Sequence, residues 1–205
     1  MTTSLLPDPW PPEARHGSVA DRKAVCRSWV RDQRRQLREQ GGEETRREHA
    51  ARLREHATGW LTARRGGSLA GLVVTSYEPF PTEPDVGDLN ASLLRAGATV
   101  LVPVTLGRDR QLEWSDLADP DRAHLGLPAL ARAEVVLLPA LAVASTGVRL
   151  GQGGGYYDRL APVLPPAAPR VAVLHDHELV RWLPTEPHDI VVSHVLTPEG
   201  VRELG

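Results

Sequence analysis

The 205-residue chain contains a single cysteine, a single methionine and a single phenylalanine. One thiol, Cys26, cannot close an internal disulfide, and it excludes any multi-cysteine zinc or iron–sulfur site. Long apolar runs are missing as well: stretches such as residues 135–143 reach about half of the roughly 20 residues that a membrane helix needs. No charged-then-apolar secretory leader opens the sequence, so a cytoplasmic protein without a membrane partner is expected. Neither sign of charge dominates, with 24 Lys and Arg against 26 Asp and Glu. The balance conceals a segregation, because residues 21–65 carry a net +6 and residues 66–205 a net −7. A basic segment ahead of an acidic body suits an anionic ligand, and phosphates, carboxylates and nucleic acid all meet that description. Nucleic acid is not expected, since Asp32, Glu39, Glu43, Glu44 and Glu48 interrupt the basic surface and no RNA-binding signature accompanies it.

What is present is ordinary for a globular protein: 41% hydrophobic and 24% charged residues can build one core without staples. Residues 1–18 hold Pro7, Pro9, Pro11 and Pro12 without an apolar period, which predicts a flexible tail whose Trp10 is available to dock. Residues 19–205 form a single domain. Its first part is helix-forming and arginine-rich: a helix over residues 20–40 ends at Gly41 and Gly42, and a second over residues 43–63 carries an apolar stripe of Ala50, Leu53, Ala57, Trp60 and Leu61. Together they predict a helical hairpin. Short β-branched runs follow at 69–77, 98–104, 134–138, 170–175 and 190–196, with an edge strand at 111–114. Helical patterns at 86–96, 156–163 and 177–183 alternate with them, which predicts an α/β fold: a mainly parallel sheet flanked by helices, behind an N-terminal helical hairpin.

Residues 139–158 read PALAVASTGVRLGQGGGYYD and join one of these strands to a helix expected to open near Tyr156. A glycine cluster in such a place lets backbone N–H groups approach phosphate oxygens, and a helix N-terminus adds favourable partial charge. No Gly-Lys-Ser/Thr follows, so this is not a Walker A loop, and Tyr156 stands where a dinucleotide fingerprint needs its last glycine. On the glycines alone, a phosphate cradle and a glycine-rich surface loop both remain open. His175-x-His177 lacks an identifiable third zinc ligand, and Ser145 lies outside a Gly-x-Ser-x-Gly elbow, so neither zinc nor serine-hydrolase chemistry is expected.

The segment Gly147-x-Arg149-Leu150-Gly151-x-Gly153-x-Gly155-Tyr156-Tyr157-Asp158 resembles the signature of the 5-formyltetrahydrofolate cyclo-ligase family, also called methenyltetrahydrofolate synthetases. Three further blocks stand in the family's order: Lys23-x-x-x-Arg27, Glu83-x-Asp85, and Leu183-Pro184-x-Glu186-Pro187-His188-Asp189 followed by Thr197-Pro198-Glu199-Gly200. The resemblance implies an ATP- and Mg2+-dependent enzyme that converts 5-formyltetrahydrofolate into 5,10-methenyltetrahydrofolate and releases ADP and phosphate. Its partners would be a reduced folate and ATP, with a monomer as the default state. In such a reaction the formyl oxygen is phosphorylated and the folate's own N10 then displaces phosphate. The protein orients two substrates and neutralises charge, and needs no side-chain nucleophile.

Lys23 and Arg27, four residues apart, share a helix face that Arg31 continues. By resemblance Lys23 and Arg27 contact ATP together with Arg149, Leu150, Gly151, Gln152, Gly153, Gly154, Gly155 and Tyr156, and the catalytic candidates are Arg149 and Tyr157. The resemblance also implies that Glu83, Glu78 and Tyr157 hold the folate, with Trp114 a further candidate for that wall. It assigns the magnesium to Asp158 and Asp189. Read without it, the same residues make an ordinary solvated basic helix face, an exposed loop glutamate, a helix-start carboxylate and a turn aspartate. The chain departs from the family at Ala144, where an aspartate is common, and at Gln152 and Gly154, where a basic residue is frequent. Its segment 125–133 is also short and lacks the usual Glu-Pro pair. These differences remove charge beside the phosphates and trim one pocket wall, so the alternative is a family member that binds folate or nucleotide with little or no turnover.

Overall fold

The computed structural model of the chain describes residues 6–106 and 111–205. In chain order the elements are α1 (Val19–Arg64), β1 (Val73–Thr75), α2 (Gly87–Arg95), β2 (Thr99–Leu106), β3 (Gln111–Asp116), β4 (Val135–Pro139), β5 (Ala142–Ala144), β6 (Arg149–Leu150), β7 (Arg170–Val173), β8 (Leu179–Val180), β9 (His194–Thr197) and β10 (Gly200–Glu203). Seven strands form one sheet in the order β10-β9-β7-β4-β1-β2-β3, and β6-β5-β8 form a small second sheet. The five central strands of the large sheet run parallel, while β3 and β10 close its two edges by antiparallel pairing.

Strands covered on both faces need apolar side chains at odd and even positions alike, and this sheet has them. Val74, Val135, Leu137, Val171 and Val173 face one cluster, shared with Leu89 and Leu93 of α2 and with Leu53, Ala57 and Leu61 of α1. Val73, Val136, Leu138 and Ala172 face the other, with Trp114, Leu130, Leu160 and Ile190. A third cluster joins the small sheet, through Ala142, Ala144 and Leu150, to Cys26 and Val30 of α1. Burial pushes the Cys26 thiol up to about 11, which leaves it protonated and inert.

The two expected N-terminal helices follow one another as the limbs of α1, which meet at a kink at Gly42. Ser18 and Asp21 form a capping box at the start of α1, and helical hydrogen bonding continues to Arg64 around Gly42, whose φ of 64° and ψ of −179° only glycine adopts readily. The bend sends the two limbs into different clusters, Cys26 and Val30 into the third and Leu53, Ala57 and Leu61 into the first. Two other expected helices are absent from the described structure. Residues 156–163 keep only the 3-10 turn Asp158–Leu160, since Pro162 can neither donate a helical hydrogen bond nor spare the preceding turn. Residues 177–183 give a 3-10 turn, Asp176–Glu178, and then β8, which pairs with β5. The expected flexible tail is packed from Leu6 onward, with Trp10 and Ala14 buried, and its residues 1–5 lie outside the described residues. Among the described residues, no helix is long and apolar enough to cross a membrane.

Candidate active site

The order of the large sheet reverses direction between β1 and β4: the chain runs outward from β1 through β2 to β3, then returns to β4 and continues to the other edge. Ligands of open α/β sheets bind outside the carboxyl ends of the strands at such a point. The loops that leave β1 and β4 here carry Tyr77, Glu78, Phe80 and Glu83 on one side and the glycine-rich segment on the other.

Between them lies a cavity of about 400 Å³ lined by these four residues, Pro103, Pro139, Arg149, Tyr156, Tyr157 and Asp158. Glu83 is buried at its edge, where its Oε2 accepts the Phe80 N–H at 3.0 Å and its Oε1 accepts the Gln152 side-chain amide at 3.2 Å. An ionised carboxylate has about four acceptor directions, so two remain for a ligand. Tyr157 has its hydroxyl buried without a hydrogen-bond partner, and burial pushes that phenol well above its ordinary value. Tyr156 lies close over the loop backbone: a Cβ on Gly154 would sit 2.5 Å from its ring, so a side chain there would displace it.

A second cavity, about 170 Å³, is lined by Lys23, Arg27, Leu150, Gly153, Glu186, His188 and Asp189, and shares Arg149, Gly151, Gly155 and Asp158 with the first. Lys23, buried on α1, donates from Nζ to both oxygens of Asp189 at 2.6 and 2.7 Å and to Glu186 Oε2 at 2.8 Å. One turn on, Arg27 Nε donates to the Gly151 carbonyl at 2.9 Å, and burial, reinforced by Arg31, holds its guanidinium below the ordinary value. Arg31 reaches the Gln152 carbonyl at 2.8 Å, so the helix row grips the glycine loop through its backbone. Because only a three-residue 3-10 turn follows that loop, no helix N-terminus contributes to the cradle, and its positive character comes from side chains.

Arg149 is the shared wall. Its Nη1 donates to the Pro139 carbonyl at 2.9 Å and its Nη2 to Asp158 Oδ1 at 3.1 Å. Its Nε is buried without a partner, and its guanidinium lies 5.3 Å from the centroid of the Tyr157 ring. Among the described residues, Glu186, His188 and Asp189 bring one ligand atom each within 4.8 Å of one another, and Asp158 is not in that group.

The model of the 5-formyltetrahydrofolate cyclo-ligase family matches residues 20–198. The chain belongs to this family. Its ligase character agrees with two curated relatives. The 5-formyltetrahydrofolate cyclo-ligase of Mycolicibacterium smegmatis is 37% identical over 161 residues, covering 71% of this chain and 81% of the relative. That of Escherichia coli K12 is 33% identical over 145 residues, covering 63% and 80%. Two solved 5,10-methenyltetrahydrofolate synthetases share the fold. The Mycoplasma pneumoniae protein has a TM-score of 0.70 at 18% identity, covering 86% of this chain and 98% of that one. The Aquifex aeolicus protein has a TM-score of 0.65 at 24% identity, covering 89% and 92%.

In this cyclo-ligase family member Lys23 and Arg27, Glu83, the segment around Arg149–Asp158, and Glu186, His188 and Asp189 converge on the two cavities, whereas Asp85 and Thr197–Gly200 line neither. Four candidates are placed differently from expectation. Trp114 is buried in the second cluster and does not line either cavity, because β3 turns its ring into the sheet's covered face. Gln152, Gly154 and Tyr156, expected beside phosphate, line the first cavity and not the second, and Gln152 turns its amide to Glu83 across the cleft. Sequence reading missed Arg34 altogether, although it is fully buried and paired with Glu178, since nothing in its stretch distinguishes it from its exposed arginine neighbours.

Proposed function

We propose that the chain converts 5-formyltetrahydrofolate to 5,10-methenyltetrahydrofolate at the expense of ATP, with Mg2+. The carrying observation is the pair of cavities that meet at Arg149: one aromatic and carboxylate-edged, the other basic and glycine-walled. A pterin ring fits the first. Its N–H groups are donors for the free acceptor directions of Glu83, while the unpartnered Tyr157 hydroxyl offers a donor inside the cavity, and Glu78 and Phe80 stand at its rim. The triphosphate fits the second, where Lys23, Arg27, Arg149 and the backbone of Leu150, Gly151, Gly153 and Gly155 supply positive charge and N–H groups.

Arg149, facing both cavities, is placed to stabilise the γ-phosphoryl group as it passes to the formyl oxygen. The C–O bond to that phosphate then breaks as N10 attacks the formyl carbon and loses its proton, leaving ADP, phosphate and the methenyl product. Holding both substrates in line is the protein's main contribution. The carboxylates of Asp158 and Asp189, on one cavity wall, are hard oxygen donors of the kind Mg2+ takes. When bound, Mg2+ neutralises phosphate charge. Lys23 keeps Asp189 and Glu186 turned toward that wall.

The test is the near-ultraviolet absorbance of methenyltetrahydrofolate formed from 5-formyltetrahydrofolate, ATP and Mg2+. Absorbance is expected to rise only when all three are present, and to be lost in Asp189→Asn. Lys23→Ala is expected to raise the KM for ATP by roughly 10²-fold with little change for folate, and Glu83→Ala to do the reverse. Equal effects on both substrates would refute the division of the site. A flat trace from folded protein that still binds the folate would leave the non-catalytic binding reading in its place.

A further inference from the structure

The family match begins at residue 20, and the residues ahead of it line neither cavity. Residues 6–17 are nevertheless built into the molecule. Trp10 is 7% exposed and Ala14 is fully buried. The Trp10 indole N–H donates to the Trp182 carbonyl at 2.9 Å, and its ring meets Trp29 of α1 edge-on with centroids 5.5 Å apart. In return the Trp182 indole N–H donates to Asp8 Oδ1 at 2.9 Å, while Arg15 donates to Asp8 Oδ2 at 2.6 Å. The Arg181 N–H donates to the Pro7 carbonyl at 2.9 Å. The guanidinium groups of Arg15 and Arg22 lie 4.9 and 5.7 Å from the Trp182 ring centroid, and Arg22 Nε also donates to the Ala14 carbonyl at 3.1 Å. Trp182 is therefore held through its carbonyl, its indole N–H and its ring.

Trp182 opens the loop of residues 182–189, which presents Glu186 and Asp189 to Lys23. Within the loop, the Glu186 N–H donates to Asp189 Oδ2 at 2.7 Å and the Asp189 N–H to the Glu186 carbonyl at 3.1 Å. These bonds fix its shape but not its place. Its far end is tied by the Ile190 N–H, which donates to Asp158 Oδ1 at 3.3 Å, and by the buried Ile190 side chain. Its near end is tied by Trp182 and by Leu183, which shares the third cluster with Trp10. The loop leaving β1, with Glu83 and Phe80, has no contact of this kind with residues 6–17 among those described.

We propose that residues 6–17 are a strap that sets the position of the loop 182–189, and so of the carboxylates facing Lys23, on one side of the double cavity. The strap's contacts fall on Arg181, Trp182 and Leu183 beside the loop, on Arg22 and Trp29 of α1 and, through Leu6, on the second cluster, and among the described residues none of its hydrogen bonds reaches the loop that carries Glu83. That this side takes ATP rests on the function proposed above.

The experiment compares the full chain with its Trp10→Ala and Trp10→Phe variants by steady-state kinetics and by amide hydrogen exchange. Trp10→Ala is expected to raise the KM for ATP roughly tenfold, as loss of an outer supporting contact does, with the KM for folate unchanged. Amides of residues 182–189 should exchange faster, and those of residues 76–83 at the parent rate. Trp10→Phe keeps an aromatic ring and loses the indole N–H, and should fall between the two. Should Trp10→Ala fail to fold, Asp8→Asn weakens the grip on Trp182 while leaving Trp10 buried, and carries the same expectations at smaller size. Equal increases in both KM values, or unchanged exchange at residues 182–189, would overturn the strap. Faster exchange there, in a protein whose parent form shows no ATP-dependent turnover, would keep the strap and remove the ATP assignment instead.

Discussion

Arg34 lies in a stretch whose neighbours Arg31, Arg35 and Arg38 are more open to solvent, yet its own side chain is buried. Its Nε and Nη2 donate to the two oxygens of Glu178 at 2.6 and 2.9 Å, and Nη2 also reaches the Ala140 carbonyl at 2.6 Å. Burial opposes the charge, but the hydrogen bonds and charge of Glu178 more than offset it and hold the guanidinium above its ordinary value. The pair and the Ala140 bond tie the first limb of α1, which carries Lys23 and Arg27, to the 3-10 turn ahead of β8 and to the end of β4. Removing one partner leaves a buried charge unmatched, so Glu178→Leu is expected to lose about 3–5 kcal/mol in urea unfolding. The double variant Arg34→Met/Glu178→Leu should be more stable than Glu178→Leu alone, because no lone charge remains. A double variant as unstable as the sum of the two single losses would show that the pair is not coupled.

The bend of α1 is the element-level counterpart. Gly42 holds φ 64° and ψ −179°, a backbone region other residues occupy only under strain, while a Cβ built there meets no atom within 4 Å. Gly42→Ala therefore isolates the backbone cost, and urea unfolding should show a loss of about 1–3 kcal/mol. An unchanged midpoint would mean that the bend is dispensable to both limbs. The sequence announced this break, because two adjacent glycines interrupt a helical pattern. It did not announce where the limbs go, since that depends on which sheet each one covers. The parallel strands were legible for the same reason in reverse: their runs, such as 135–138 and 171–173, are apolar at consecutive positions, which only a sheet covered on both faces requires. The helices expected at 156–163 and 177–183 failed where a local signal was overruled. Pro162 disables the first, and Leu179–Val180 gain more from pairing with β5 than helical propensity offers. The first of these signals stands in the sequence itself, whereas the second exists only once β5 is in place.

At the scale of the whole molecule, the site was legible as a set of blocks and illegible as a geometry. Lys23, Glu83, the glycine loop and Asp189 could be named from their motifs, but that they form two cavities with one shared arginine follows from the strand order, which reverses between β1 and β4. Residues 6–17 were misjudged because proline content reads as disorder until a partner such as Trp182 is in place. The molecule's response to acid is another property of the assembled fold. His175 and His194 stand on different elements, and burial holds both below their ordinary value of 6.5. As pH falls through about 6.5 the unfolded chain takes protons on both imidazoles, while the folded protein resists until lower pH, so in that window the unfolded state binds more protons. The contribution of the neutral histidines to stability is thus complete above about pH 6.5 and is lost as pH falls toward their folded values. The thermal midpoint is expected to drop between about pH 7.5 and pH 5.5, with a shallower drop in His194→Gln, which removes one of the two groups. The variant tests this directly, because an unchanged slope would place the proton uptake elsewhere than on His194, whose ring packs 5.1 Å from that of Trp60 on α1.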